Sequence, residues 1–261
     1  MNAVVTLDRP APHVARLLIN RPDKRNAIDH EVRETLHGLL GEVEADAQVR
    51  AVVIGGAGGF LSAGGDTPSM VGLDEAGARE RMRHIHRLCR RLVALPLPVV
   101  TAVEGMGVGA GVGLALLGDL IVAGPGTKFY FPFFKLGLVP DWASLLTLPR
   151  RIGHARAQQL LARSGSLTGA QAQELGLVDV LAAEDGAVMA AAVAEAAALA
   201  QLPREAYARM KRMLQPTAEE FDRVLQSEED AQAALLQGPA FREGYAAMRD
   251  KRAADFIGSG A

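Results

Sequence analysis

The sequence predicts an α/β fold with a helical C-terminal region. Two observations lead to this prediction. Short apolar runs rich in β-branched residues alternate with helical patterns over roughly the first 140 residues. Beyond residue 141 the pattern becomes almost entirely helical. We therefore expect a core that spans residues 1–200 and a helical region that spans residues 201–261.

The core is predicted from alternating strands and helices. Asp29 can cap a helix that runs through Glu44, with apolar side chains recurring on one face, and residues 74–94 predict a second long helix. Strands are predicted at residues 4–7, 14–19, 51–54 and 99–103. This alternation is typical of a sheet of βαβ units whose faces are covered by helices.

The C-terminal part carries two sequences that fit a capping box. These are Thr168 followed by Gln171, and Thr217 followed by Glu220. Further helices are predicted at residues 187–200, 203–214, 217–237 and 239–252.

Composition excludes several classes of partner. Hydrophobic residues make up 49% of the 261 residues and charged residues 22%, as in ordinary globular proteins. The net charge of −2 gives no electrostatic reason to expect nucleic acid or a membrane as a partner. Cys89, the single cysteine, excludes an internal disulfide and a cysteine metal cluster, and no metal site is expected. Because no spanning segment or secretion signal is visible, a cytoplasmic location is expected.

Two glycine-rich turns each follow an apolar strand. Residues 55–65 follow the strand 51–54, and residues 105–113 follow the strand 99–103. Unpaired backbone N–H groups at such turns bind anions, and two turns can converge on one oxygen atom. A dinucleotide site would need a carboxylate about 20 residues beyond the second turn, where residues 124–129 offer none.

Five segments, in this order, resemble the crotonase (enoyl-CoA hydratase/isomerase) superfamily. They are residues 20–27, 56–66 (with Leu61 in place of the usual Phe), 105–119, 167–178 and 241–244. The resemblance implies a ClpP/crotonase-like spiral of ββα units with a helical C-terminal trimerisation region. It also implies a homotrimer or dimer of trimers and an acyl-CoA thioester substrate, so that coenzyme A is part of the substrate and no separate cofactor is expected.

The resemblance places two oxyanion donors on the backbone N–H groups of Gly65 and Ala110. Reactions at the α-carbon of a thioester pass through an enolate, and each preorganised donor stabilises that charge by about 3–4 kcal/mol. Ala110 stands where relatives often have glycine, but the donor is a backbone group. The alternative is that these glycines only permit tight turns and close packing.

The two glutamates that hydratases of this superfamily use are missing. Their positions fall on Gly113 and Phe133, and neither side chain can exchange a proton. Asp141 stands where isomerases of the superfamily carry a single acid/base. The sequence Pro140-Asp141 is similar to the ring-opening epoxyphenylacetyl-CoA isomerase group. A double-bond shift, or isomerisation of a ring, is therefore the predicted reaction.

Apolar neighbours of Asp141 are expected to exclude water and raise its pKa. The alternative role for Asp141 is to cap a helix over residues 142–151.

His86 suggests a second reaction. Aryl-CoA dehalogenases of the superfamily carry a histidine at this position and a nucleophilic aspartate at the position of Asp141. His84 and His86 also stand among arginines on one long helix, which favours a basic face that is solvated or that contacts the coenzyme A phosphates. A third alternative is an acyl-CoA-binding homologue without catalytic activity.

The resemblance also implies contacts with the substrate. We expect Lys24, Arg25, Ala27, Ala63 and Asp66 near the coenzyme A part, and Phe133 and Trp142 near the acyl group. The segment containing Lys251 and Phe256 resembles a tail that reaches the adenine side, often from a neighbouring subunit.

Overall fold

The computed structural model describes residues 3–258 and 260. In that part the strands are β1 (Val5–Ala11), β2 (Val14–Ile19), β3 (Ala51–Gly56), β4 (Val99–Val103), β5 (Met106–Val108), β6 (Leu120–Ala123), β7 (Lys128–Tyr130), β8 (Ser166–Thr168) and β9 (Val180–Leu181). The α-helices are α1 (His30–Ala45), α2 (Glu75–Ala94), α3 (Ala110–Leu116), α4 (Ser144–Ile152), α5 (His154–Ala162), α6 (Gly169–Glu174), α7 (Val188–Leu199), α8 (Arg204–Leu214), α9 (Ala218–Gln237) and α10 (Pro239–Arg249).

The strands form a larger and a smaller sheet. The larger sheet has the order β1-β2-β3-β4-β6-β9, and every neighbouring pair is parallel except the hairpin β1–β2. The smaller sheet has the order β5-β7-β8. The central strand β3 is buried along its whole length, as expected for a parallel strand covered on both faces.

Helices cover both faces of the larger sheet. Alternate residues of β3 point to opposite sides, so Val52 and Ile54 join a core with α1 and α2, whereas Val53 packs with α7. Asp29 caps α1 by accepting the Val32 N–H at 3.0 Å, as the sequence predicts. Asp74 caps α2 in the same way.

The predicted helices agree with the structure to within a few residues. One difference bears on Asp141 and its alternative role as the cap of the helix that follows it. The helix expected over residues 142–151 is α4, which begins at Ser144. The smaller sheet, β6 and β9 were not predicted, because strands of two to four residues carry too little pattern to be recognised. Their pairing depends on residues distant in the sequence, such as Phe129 opposite Leu167.

The C-terminal helices pack on the core. α9 runs against α2, and α10 lies against the 3-10 turn Phe133–Leu136. A Cβ on Gly244 would stand 2.7 Å from the Leu136 backbone, so glycine is required for this close approach. No single helix in the described residues is both long and apolar enough to cross a membrane. Residues 185–199, which include α7, reach the length and hydropathy of a membrane span only when α8 is added, and the two segments are bent by 109°.

Candidate active site

A cavity of about 690 Å³ lies where the two glycine turns, the segment before α4 and the C-terminal helices meet. Most of its lining is apolar, and the aromatic members come from residues 130–134 and from the C-terminal segment. The lining includes Ala63, Gly65, Ala110, Phe133, Asp141, Gln232 and Phe256.

The first glycine turn is held by a buried asparagine. The Asn26 Nδ2 donates to the carbonyl oxygens of Ala57 and Phe60 at 2.8 and 2.9 Å. The Ser62 hydroxyl donates to the Asn26 carbonyl at 2.7 Å and accepts the Gly64 N–H at 3.0 Å. Asn26 was within a recognised segment but its role was not predicted. What distinguishes Asn26 is that its polar side chain is buried, whereas the preceding residues of the turn are exposed.

The two predicted oxyanion donors lie side by side. A Cβ on Gly65 would stand 4.0 Å from the Cβ of Ala110. Each follows a glycine with positive φ, +102° at Gly64 and +49° at Gly109, which turns the next N–H out of the regular backbone. Among the described residues neither the Gly65 nor the Ala110 N–H donates a hydrogen bond. Two free N–H groups at one place suit an oxyanion.

Asp141 lines the same cavity and is only 6% exposed. Burial raises its pKa to about 6, while the positive charge of Arg81 lowers it and the nearby Glu228 raises it. Asp141 does not cap α4, because the N-cap is Ala143 and no side chain there makes a capping bond. The capping alternative is therefore wrong, and the Asp141 Oδ1 has no hydrogen-bond partner among the described residues.

Arg81 of α2 is a further charged group at this site that the sequence did not single out. A Cβ on Gly65 would stand 3.4 Å from the Arg81 Nη2, and Arg81 acts electrostatically on both Asp141 and Asp66. Its guanidinium therefore places a positive charge beside the Gly65 turn and within electrostatic reach of the Asp141 carboxylate.

The two positions that the family resemblance assigns to the hydratase glutamates hold no acid. A Cβ on Gly113 would stand 2.4 Å from the Cβ of Trp142, so the space for a side chain is already filled. Phe133 occupies the second position and lines the cavity. Trp142 itself is 1% exposed and packs in the core behind Asp141 instead of lining the cavity.

The remaining predicted contacts divide into two groups. Ala63 and Phe256 line the cavity, and Phe256 does so from the same chain. The others lie outside the lining: Lys24, Arg25, Ala27, Asp66 and Lys251. The Ala63 N–H donates to the Arg25 carbonyl at 2.9 Å, which ties the exposed residues 22–25 to the first glycine turn. Their contacts with coenzyme A stay predictions.

The expectation of a solvated basic face on α2 is wrong for its histidines. His84 and His86 are 8% and 2% exposed, because they point between α2 and its neighbouring helices. The His86 Nε2 lies 3.3 Å from the Glu228 Oε2, and burial lowers the His86 pKa to about 4. His86 is not part of the cavity lining, so the geometry gives no support to a dehalogenase in which it acts on the substrate.

One group of side chains outside the cavity has the composition of a metal site, namely His30, Glu34 and His84. The Arg33 Nε donates to the His84 Nδ1 at 2.9 Å, so the proton of neutral His84 is on Nε2, which contacts Glu34. Arg87 also pairs with Glu34. These bonds and cations occupy the ligand atoms that a metal would need.

Comparison with known proteins agrees with the geometry. Residues 10–259 match the family described as Enoyl-CoA hydratase/isomerase. The chain belongs to this family. The 1,2-epoxyphenylacetyl-CoA isomerase of Escherichia coli K12 is 34% identical over 251 residues, which cover 94% of this chain and 95% of that protein.

Solved structures of the family share the fold. The crystal structure of an enoyl-CoA hydratase from Mycobacterium avium subsp. paratuberculosis K-10 has a TM-score of 0.87 at 31% identity, covering 98% of this chain and 99% of that one. An enoyl-CoA hydratase/isomerase from Pseudoalteromonas atlantica T6c also has a TM-score of 0.87, at 29% identity, covering 97% and 100%. The predicted crotonase fold is thereby confirmed, and membership of the enoyl-CoA hydratase/isomerase family makes the chain an acyl-CoA enzyme.

Proposed function

We propose that this enzyme shifts the double bond of an enoyl-CoA thioester, with Asp141 as its single acid/base. The observation that carries the proposal is that Asp141 is the only carboxylate lining the cavity among the described residues. Addition of water by the two-glutamate mechanism needs a second acid, and the positions where it would stand are Gly113 and Phe133. One carboxylate suffices to move one proton.

In the proposed reaction the Asp141 carboxylate removes a proton from C2 of a 3-enoyl thioester. The electron pair of that C–H bond moves into a dienolate whose negative charge lies on the thioester oxygen. The N–H groups of Gly65 and Ala110 donate to this oxygen. Protonated Asp141 then returns its proton to C4, and the double bond ends between C2 and C3. The apolar lining excludes water, which suppresses hydration of the product.

The experiment is an assay of 3-enoyl-CoA isomerisation, followed by the ultraviolet absorbance of the conjugated thioester that forms. We expect Asp141→Asn to lower kcat by about 100-fold or more, because removal of a general acid/base costs 10²–10⁴-fold. Asp23→Asn, at an exposed position, is the matched control and should leave kcat unchanged. Full activity of Asp141→Asn would overturn the proposal.

Isomerisation of an epoxide ring on an aryl acyl group is a second candidate. The observations that favour it are the aromatic residues Tyr130, Phe133 and Phe134 in the cavity lining and the similarity to the Escherichia coli epoxyphenylacetyl-CoA isomerase. Turnover of an epoxidised phenylacetyl-CoA, measured beside the linear 3-enoyl-CoA, distinguishes the two substrate classes. Turnover of the linear substrate alone would exclude this candidate.

We also propose a homotrimer or dimer of trimers, as the family resemblance implies, in the cytoplasm. Light scattering during size-exclusion chromatography gives the mass of the assembly directly. A mass equal to the 27.6 kDa of one chain would contradict the proposed assembly.

A further inference from the structure

Behind Asp141, a second buried carboxyl group is bonded to the same turn. Glu228 of α9 is 2% exposed, and its Oε2 accepts the Ala143 N–H at 3.2 Å. One helical turn later, the Gln232 Nε2 donates to the Val139 carbonyl at 3.0 Å. Two side chains on one face of α9 therefore hold the backbone on both sides of Asp141.

The turn that they hold has an unfavourable backbone conformation. Trp142 and Ala143 are consecutive non-glycine residues with φ of 59° and 57°. A non-glycine residue in this left-handed region is destabilised, because its Cβ crowds the following carbonyl oxygen. Such conformations persist only where the surroundings enforce them. The bond from the Ala143 N–H to Glu228 is one such constraint, and it acts two residues from the Asp141 carboxylate.

Three buried oxygen atoms in this cluster have no hydrogen-bond donor among the described residues. They are the Asp141 Oδ1, the Glu228 Oε1 and the Gln232 Oε1. The Gln232 amide cannot be reversed to help, because its Nε2 must face the Val139 carbonyl. If both carboxyl groups were ionised, all three oxygens would be acceptors only, which is costly in the interior. A proton on one carboxyl group removes one of the two buried negative charges, which act on each other.

The surrounding charges decide which carboxyl group holds that proton. Arg81 acts on Asp141 and favours its ionised form. Glu228 faces neutral His86 and Cys89 from α2, and the adjacent Glu229 is paired with Arg83 at 3.0 Å. Burial raises the pKa of Glu228 to about 8, above the value of about 6 for Asp141. At neutral pH the proton is on Glu228.

We propose that Glu228 is a positioning residue for Asp141. As a neutral carboxyl group it holds the strained turn and leaves the negative charge of the pair on the carboxylate that lines the cavity. This inference rests on the proposed function, in which Asp141 transfers the proton.

The test compares Glu228→Gln and Glu228→Leu in the isomerisation assay, with Glu229→Gln as the matched control one residue along α9. Glu228→Leu removes the acceptor for the Ala143 N–H. We expect it to lower kcat by about 10-fold or more with KM within about twofold, since a misplaced catalytic group costs rate more than binding. Glu228→Gln keeps a neutral acceptor and should retain kcat within about threefold at pH 7, as should Glu229→Gln.

The pH profile separates positioning from a merely structural role. In the wild type, ionisation of Glu228 near pH 8 adds a second negative charge beside Asp141, and kcat/KM should decline above that pH. Glu228→Gln should lack this decline. Unchanged kcat in Glu228→Leu, or equal damage in Glu228→Gln and Glu228→Leu, would overturn the inference.

Two further results keep the test decisive. If Glu228→Leu fails to fold by circular dichroism, the profile of Glu228→Gln decides alone, and a decline above pH 8 identical to that of the wild type overturns the inference. If Asp141→Asn keeps full activity, the proposed function itself fails. Inactive Asp141→Asn together with normal Glu228 variants overturns only the role of Glu228.

Discussion

The Cβ of Trp142 lies 2.4 Å from the point where a Cβ on Gly113 would stand. At the position that the family resemblance assigns to the first hydratase glutamate, the chain thus has no room for a side chain, because the tryptophan beside Asp141 fills that space. One packing contact therefore bears on both positions. It leaves no space for a side chain at Gly113, and it holds the residue that follows Asp141.

Substitution at this contact tests how tightly it is packed. We expect Gly113→Ala to lower the free energy of unfolding by roughly 1–3 kcal/mol, because the added methyl group must displace Trp142 or α3. Gly38→Ala is the control. Gly38 is exposed within α1 and has nothing within 4 Å of an added Cβ, so that variant should gain about 0.5–1 kcal/mol. Urea unfolding measures both, and wild-type stability of Gly113→Ala would contradict the prediction.

The conformation of the first oxyanion turn depends on Gly64. Its φ is +102°, and an added Cβ would stand 2.8 Å from the Val108 carbonyl oxygen. Gly64→Ala should displace the Gly65 N–H and lower kcat by about 100-fold, as loss of one oxyanion donor does. Gly72 also has positive φ, +76°, with open space around it. Gly72→Ala should therefore lose about 1–2 kcal/mol of stability with kcat unchanged. Equal kcat in the two variants would argue against the oxyanion role.

Activity should fall on the acid side as Asp141 takes up a proton. The proposed reaction begins with the carboxylate, and burial raises the pKa of Asp141 to about 6. In assays from pH 4.5 to 7.5, kcat/KM should be level near pH 7 and fall by about tenfold per pH unit well below pH 6. A profile that stays level down to pH 5 would show that protonation of Asp141 does not limit the reaction.

Stability should change with pH in the opposite sense to that of a salt-bridged acid. The pKa of Glu228 rises on folding from 4.5 to about 8, so between these values the folded state holds a proton that the unfolded state has released. The contribution of Glu228 to the free energy of unfolding therefore falls as pH rises, by up to about 1.4 kcal/mol per pH unit, and the loss is complete above pH 8.

Between pH 7 and 8 the contribution of Glu228 dominates, because Asp141 is ionised in both states and the pKa of His84 and His86 falls from 6.5 to about 4 on folding, so that these histidines are largely neutral in both states. Across this window the free energy of unfolding, measured by denaturant titration, should fall less steeply with pH in Glu228→Gln than in the wild type. Identical slopes would mean that Glu228 is ionised in the folded protein.

The C-terminal segment should contribute to substrate affinity. Phe256 lines the cavity, whereas the next residue, Ile257, is 95% exposed. Phe256→Ala should weaken binding of a saturated acyl-CoA by roughly 3- to 10-fold, the equivalent of about 1 kcal/mol of lost apolar contact. Ile257→Ala should bind as the wild type does, and calorimetry measures both. Equal affinities in the two variants would exclude Phe256 from the binding site.

The sequence predicted the parts of this molecule that depend on local pattern. Asp29 as a cap, the long helices and the glycine turns each carry their signal within a few residues. The residues around Asp141 carry no such local signal. Glu228 lies 85 residues after Ala143, which it bonds, and 142 residues after His86, which it contacts.

One signal for these partners was nevertheless present. Glu228 and Gln232 stand in the same buried stripe of α9 as Phe221, Leu225 and Leu236. Polar residues in an apolar stripe indicate a buried bond, but only the fold shows with what. The roles of Asn26 and Arg81 were missed for the same reason.

Trp142 is the only tryptophan in the sequence, and it lies buried next to Asp141 in the chain and against Gly113. Its fluorescence is therefore an intrinsic reporter of one turn, whereas circular dichroism averages over all the helices and strands. During refolding the two signals separate two events: formation of the sheet and its covering helices, and docking of α9 onto residues 139–143. Recovery of catalytic activity should follow the fluorescence.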